Sequence, residues 1–484
     1  MPEHTAASRL RLSGLCFLLQ ILNILLFAAF VRYSPGGSPG PCPPQLNCSR
    51  RSPASAFQQP RFQDAHIQVL LSFGLLVAFL SRYGPGSAAS SILVTAFAIQ
   101  WALLIQGFFY FFLNGKIYVE AQSLVSADFC TAAVLISSGA VLGRVSPGQM
   151  LLLALLEVSL CTLSEYILLG LMAVSDSGRS LTVHTFGAYF GLAVSRVLQQ
   201  PHKDKRKREE QRDKGQQTDV FAVVGTIYLW IFWPSFTSST TAHHNAENWA
   251  VLNTYFSLVA STVATFILSP LLYEESTPRM VQIQDATLAV MAMMGMAGEM
   301  LATPFGALIA GFLVGLISPL GSRFFTPLLH SRLKIQDTCG VHNTHGLPGV
   351  LGALLGTLLT LLATADTYGY SSPLEGITQS QEPVASSPKP VPSVACRLEL
   401  VFPLVAQGSR TVPEQALMQL GALPLTLLLA ALGGSLTGAV LKIRVPRCCR
   451  DAQYKENAAF REVPEEGSEP SANGKEELGI STLV

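Results

Sequence analysis

The chain has 484 residues, 49% of them hydrophobic and only 13% charged, with a formal net charge of +1 and a mean hydropathy of +0.39. A soluble domain carries about a quarter charged residues, and a near-neutral chain presents no basic field to nucleic acid. That balance excludes a soluble domain and a nucleic-acid partner, and points to an all-α polytopic membrane protein.

In chain order, stretches long enough to cross roughly 30 Å of hydrocarbon fall near residues 10–31, 62–81, 88–112, 121–143, 148–173, 181–199, 219–239, 249–270, 282–298, 303–320, 340–364 and 415–441. The first is read as a membrane helix rather than a secretory signal. Its apolar run from Leu12 to Val31 is long for a signal, and no small-residue cleavage site follows. Two long loops interrupt the series, 32–61 and 366–413, the second rich in Ser, Pro and Gln and expected to lack packed structure. The division is thus a transmembrane domain over 1–441 and a charged tail, 442–484, expected to be disordered.

Lys and Arg set the orientation. Arg9, Arg82, Arg144, the run Lys203–Lys214, Arg279, Arg323, Arg332 and Lys334 fall in alternate connections, and Lys442, Arg444, Arg447 and Arg450 follow the last stretch. The short loops on the other side hold little beyond Lys116 and Arg179. Twelve crossings with both termini cytoplasmic satisfy this pattern. Asn47-Cys48-Ser49 is then an N-glycosylation acceptor in the first outer loop. Of nine cysteines, Cys42, Cys48 and Cys396 fall outside, where a disulfide is permitted but its pairing is not legible.

Two passages share one pattern. Asp176 is followed eight residues later by His184, Asp337 eight residues later by His345, and glycines follow each histidine inside an apolar stretch. A histidine at membrane depth is costly and therefore a functional candidate. The motifs stand 161 residues apart, separated by an odd number of crossings, so their helices run antiparallel. Eight helical residues rise about 12 Å, which brings each histidine toward mid-membrane from its own face. Residues 62–199 and 219–364 then form two inverted five-helix halves, with the first and last helices as additions. Gly187 and Gly191 after His184, and Gly346, Gly349, Gly352 and Gly356 after His345, permit the close approach that lets the two rings meet. A pair of neutral imidazoles satisfies itself by one hydrogen bond and offers a polar rail to a small neutral solute. The plainer alternative keeps each histidine as a packing residue bonded to a carbonyl. Asp176 and Asp337 read as caps of the helix starts. His342 lies nearer the inner end and is peripheral.

These residues resemble the Rh glycoproteins of the ammonium transporter family. The likeness extends over Ser126–Thr131, Gly139–Val145, His184–Ser195, Leu229–Phe236, Val251–Val259 and Asp337–Gly352, in the family's order. It implies a homotrimer of eleven- or twelve-helix protomers, each with a hydrophobic pore conducting ammonia. His184 and His345 would be the paired pore histidines, and Phe129 and Phe236 two stacked rings forming an outer gate. By composition alone those two are simply among 26 phenylalanines. Asp176, Asp337 and Trp233 fall in the vestibule or structural class. No cofactor or metal is implied, and Cys339, His342 and His345 lack the second cluster of ligands a metal site needs. No motif pairs a nucleophile with a base, so an enzyme is not expected.

The physics suits the solute. A bare ammonium-sized ion costs on the order of tens of kcal/mol to move into low dielectric, whereas ammonia avoids nearly all of that. Ammonium, drawn by aromatic faces and carbonyls, is deprotonated before entry. One alternative is a coupled ammonium/proton or carbon dioxide pathway through the same pore, with methylammonium a further possible substrate. The other is a non-conducting scaffold glycoprotein of the plasma membrane. The chain departs from the family at Asp285, Val290 and Met291, where an amide and two small residues are usual. The last four residues, Ser481–Val484, resemble a PDZ ligand and leave a PDZ or cytoskeletal partner open. Cys448-Cys449 is a palmitoylation candidate.

Overall fold

In hydrocarbon no water is present to satisfy a free N–H or C=O, so a spanning segment must close its own hydrogen bonds. The computed structural model obeys this with long helices. It describes residues 2–33, 67, 69, 84–110, 112–199, 218–240, 244–273, 277–363 and 401–444. In order these form α1 (Pro2–Phe30), β1 (Val31–Tyr33), α2 (Gly84–Tyr110), β2 (Phe112–Leu113), β3 (Lys116–Val119), α3 (Ala121–Val141), α4 (Pro147–Glu165) and α5 (Phe186–Val197). There follow α6 (Thr218–Ser238), α7 (His244–Tyr273), α8 (Met280–Ala297), α9 (Pro304–Leu320), α10 (Leu347–Leu361), α11 (Pro403–Ala406) and α12 (Val412–Arg444).

Among the described residues nine helical segments are long and apolar enough to cross a membrane, and a shorter apolar one covers Ala222–Ser238. Each stretch predicted from sequence coincides with a described helix except 62–81, which lies outside the described residues apart from Ile67 and Val69. Asn47, the Lys203–Lys214 run, Cys42, Cys48, Cys396 and the tail from residue 445 onward also lie outside them, while 442–444, placed in the tail by the sequence, continue α12. The loop expected to be unstructured through residue 413 is ordered before its end. Val401 and Phe402 bury against Leu168, Val174, Met296 and Ala422, α11 follows, and Arg410 donates to Met172 O at 2.9 Å. Two large apolar side chains with a place in the core hold this segment against a Ser/Pro-rich average.

The burial pattern is inverted relative to a soluble bundle. Leu271 and Ile443 are among many large apolar side chains facing outward, while Ser137, Thr162, Thr185, Asn253 and Thr254 are fully inside. Helix α3 is the most enclosed of the crossings. It packs between α2 and α5, while α12 lies along α5 and α7 along α9. The close contacts rest on glycine. A Cβ at Gly187 would stand 2.6 Å from Ala133 O, and one at Gly191 2.6 Å from the Ser137 Cα, so both positions of α5 lie directly on the backbone of α3. Three short strands add one small sheet of order β1-β3-β2, with β1 parallel and β2 antiparallel to β3. Lys116 Nζ ties it to the end of α1 through Ala29 O at 2.5 Å.

Val290 and Met291, two of the positions departing from the family pattern, have no exposed surface in the isolated chain. They fill the protomer's own core on α8 and cannot lie at a contact between copies. Asp285, a turn earlier, is half-buried.

Candidate functional site

Each aspartate of the repeated motif does the same local work. Asp176 accepts from Leu181 N at 3.1 Å, Thr182 N at 2.9 Å and Thr182 Oγ1 at 3.0 Å. Asp337 accepts from Val341 N at 2.9 Å and His342 N at 2.8 Å. Helix starts leave N–H groups without intrahelical acceptors, and a carboxylate at that end satisfies them. Both carboxyls lie in connections outside the spanning segments. Burial raises the pKa of Asp176, with its hydrogen bonds from Thr182 and Leu181 opposing. Burial likewise pushes Asp337 up to about 6, against hydrogen bonds from His342 and Val341.

The helix that each aspartate starts does not begin as a regular α-helix. Ser180–Thr185 and His342–Gly346 are both wide, π-type turns, each containing the motif histidine and running directly into α5 or α10. His184 N reaches back to Arg179 O at 3.2 Å, and Thr185 Oγ1 to Ser180 O at 2.8 Å. Such turns are rare and concentrate at functional sites. Nothing in the hydrophobic periodicity signals them, because a wide turn shifts the register by one residue within a run that is apolar on most sides.

The connection before α10 is pinned to the end of α3. Thr338 N and Oγ1 both donate to Ala140 O, at 3.4 and 3.2 Å. Ser195 Oγ donates to Gln336 O at 2.5 Å and accepts from Arg144 Nη1 at 2.6 Å. At the other end, the turn after Asp176 crosses α8 backbone to backbone, with Gly178 N donating to Gly295 O at 2.7 Å. Ser180 Oγ bridges the same helix, donating to Ala292 O at 2.6 Å and accepting from Met296 N at 2.7 Å. A Cβ at Gly352 would overlap Met293 O, so α10 also presses onto α8 at that level.

These restraints bring the two histidines together. Their Nδ1 atoms are 3.1 Å apart, the rings nearly parallel at 7° with centroids 5.2 Å apart. Both are buried, and His184 Nε2 has no hydrogen-bond partner among the described residues. One nitrogen of the facing pair must carry the shared hydrogen and the other must accept it.

From His184 a file of aromatic rings continues toward the Asp176 end. Trp233 lies 6.1 Å from His184, Phe236 5.3 Å from Trp233, and Phe129 4.3 Å from Phe236. All three are buried. Phe236 and Trp233 share α6, three residues apart, and so point the same way; Phe129 comes from α3. Beyond His345, His342 stands edge-on to Tyr189 at 5.9 Å and to Phe325 at 6.3 Å, outside the facing pair.

Two buried polar features escaped the sequence reading. Glu165 forms an ion pair with Arg179, Nη1 to Oε1 at 2.8 Å, and its other oxygen accepts from Gln106 Nε2 at 3.2 Å. Arg179 Cζ also lies 5.7 Å from the centre of the Phe129 ring. Glu157, fully buried on α4, accepts from Ser137 Oγ. A single carboxylate in an apolar helix with no spacing motif gives no sequence signal of its partner. Among the described residues no three His, Cys, Asp or Glu side chains are grouped to hold a metal ion.

Comparison with known proteins covers nearly the whole chain. Residues 22–453 match the family model described as Ammonium Transporter Family. The chain is 46% identical over 467 residues to ammonium transporter Rh type B-B of Xenopus laevis, covering 96% of this chain and 95% of that one. It is 47% identical over 476 residues to ammonium transporter Rh type B of Bos taurus, covering 98% of each. Among solved structures, Nitrosomonas europaea Rh50, described with a mechanism of conduction by the Rhesus protein family of channels, superposes with a TM-score of 0.61 at 27% identity. That match covers 84% of this chain and 97% of Rh50. By the length of the family match and the identity to these relatives, this chain belongs to the ammonium transporter family.

Proposed function

We propose that the protein is a membrane channel for ammonia/ammonium transport, passing neutral NH3 past the Phe129–Phe236 pair and along His184 and His345. The observation that carries this reading is the facing histidine pair. Two buried imidazoles joined at 3.1 Å leave His184 Nε2 unpartnered among the described residues, an open hydrogen-bonding position in an otherwise apolar passage. A small polar neutral molecule can use that position, as donor or acceptor according to the tautomer. A bare cation there would face the cost of leaving water, on the order of tens of kcal/mol by Born reasoning, without a carboxylate in the file to offset it. Ammonium therefore loses its proton before it enters.

The family membership and the names of the relatives, ammonium transporter Rh type B, support the same solute. Phe129 and Phe236 act as the gate on this reading, since their rings close at 4.3 Å where the file begins. Asp176 and Asp337 act structurally, holding each histidine turn at its depth. The distribution of Lys and Arg supports a multi-pass protein with both termini cytoplasmic, and the resemblance to Rh glycoproteins supports the plasma membrane and a homotrimer with Asn47 glycosylated.

The test is internal alkalinisation of proteoliposomes after an ammonium pulse, comparing wild type with His345→Ala at equal protein density. Wild type is expected to exceed empty liposomes and His345→Ala to differ from wild type. Wild-type flux no faster than empty liposomes would overturn the channel reading in favour of a scaffold.

A further inference from the structure

Arg179 is costly in two ways that the fold does not require. Its backbone is left-handed, with φ of 69°, a conformation that penalises any residue with a Cβ and that glycine adopts freely. Its side chain is only 9% exposed, and a buried guanidinium is expensive unless paired and hydrogen-bonded. Arg179 is incompletely satisfied. It makes its 2.8 Å contact with Glu165, yet its Nε has no hydrogen-bond partner among the described residues. The turn itself, closed by Arg179 N donating to Asp176 O at 3.1 Å, uses only backbone.

What the side chain reaches accounts for both costs. Its guanidinium carbon lies over the ring of Phe129 at 5.7 Å, and its Nη1 meets the carboxylate of Glu165. An aromatic face and a desolvated carboxylate are the two groups that attract a small ammonium ion. Two other acids at this end accept hydrogen bonds from neutral donors. Asp176 takes Leu181 and Thr182, and Glu299 takes the Ser175 hydroxyl at 2.9 Å. Glu165 meets a cation in direct ion-pair contact at 2.8 Å, and that cation, whose charge also acts on Asp176, belongs to the protein.

We propose that Arg179 is a specificity-determining residue: a resident cation that fills the ammonium-attracting position beside Phe129 and Glu165, so that entry at the Asp176 end depends on the neutral amine and not on capture of ammonium. This rests on the reading that Phe129, Phe236 and the two histidines line the route. Removing the guanidinium uncovers the ring and the carboxylate to the solute.

The experiment is uptake of labelled methylammonium by proteoliposomes at one fixed pH, where the neutral fraction is constant and a change in half-saturation reports the cation. Arg179→Gly, which suits the left-handed backbone, is expected to lower the half-saturating concentration about fivefold, the scale of one cation–aromatic contact. Arg179→Lys, which keeps the charge, is expected to stay near wild type. An unchanged value in Arg179→Gly, while His345→Ala alters uptake, would overturn this inference and leave the channel reading standing. Equal shifts in the Gly and Lys variants would overturn it too, since charge would not be the determinant. No methylammonium uptake by wild type or any variant would overturn this inference, the channel reading then standing or falling on the ammonium-pulse test. Should Arg179→Gly fail to fold because Glu165 is left unpaired, the double variant Arg179→Gly/Glu165→Gln leaves no uncompensated carboxylate. That variant is expected to shift half-saturation in the same direction by a smaller factor, and no shift in it counts against the proposal.

Discussion

The Nδ1 atoms of His184 and His345 lie 3.1 Å apart although 161 residues separate them in the chain. Each is delivered by the same sequence of devices, a capping aspartate, a wide turn and a glycine-bearing helix, arriving from opposite ends of the bundle. Because both acceptor and donor sit on imidazole nitrogens, the pair works as one unit with one shared hydrogen.

A unit of this kind gives non-additive mutants. His184→Ala and His345→Ala are each expected to slow ammonia-driven alkalinisation about fivefold, equivalent to roughly 1 kcal/mol from one lost hydrogen bond. The double variant is expected to be no slower than the worse single one. A double variant slowed by the product of the two factors would show that the histidines act independently.

Asp176 holds the turn before His184 through two N–H groups and one hydroxyl. Asp176→Ala leaves those buried donors without an acceptor, and a destabilisation of about 2–3 kcal/mol is expected. Asp176→Asn keeps an acceptor oxygen and is expected to recover at least half of it. Thermal unfolding in detergent measures both, and equal losses in the two variants would contradict the capping role.

Asp337 makes stability depend on pH in a stated direction. Its folded pKa of about 6 lies above its ordinary 3.8, so the folded protein binds the proton more readily than the unfolded chain. Its contribution is fully present below about pH 4 and is lost as pH rises through 6. Wild type is expected to lose roughly 2 kcal/mol over that window from this residue, discounted for its partial exposure. Asp337→Asn is expected to flatten that step. Melting curves that descend in parallel for the two proteins between pH 4 and pH 6 would refute the assignment.

Gly187 sets the distance between α5 and α3, since any Cβ there meets Ala133 O at 2.6 Å. Gly187→Leu cannot be absorbed by a rotamer change, because the obstacle is backbone. A loss of about 3 kcal/mol is expected, with displacement of the adjoining His184 turn and slowed ammonia flux. A folded variant with wild-type flux would mean that the helices can separate without moving the histidine.

Much of the architecture was legible in the chain. Hydrophobic length determined the crossings near 121–143 and 415–441, and an Asp and a His eight residues apart, twice, singled out the pair that meets, because helix rise converts sequence spacing into depth. Only the tertiary structure decided the rest. The wide turns at Ser180–Thr185 and His342–Gly346 both lie against α8, and apolar periodicity has no record of them. Val401 and Phe402 pack into one buried cluster with Leu168 and Met296, which a Ser- and Pro-rich average conceals. The Glu165–Arg179 pair joins residues on either side of a chain reversal. In sequence each is a lone charge; their meaning lies in the 2.8 Å between them, a distance that helix packing sets and residue spacing does not.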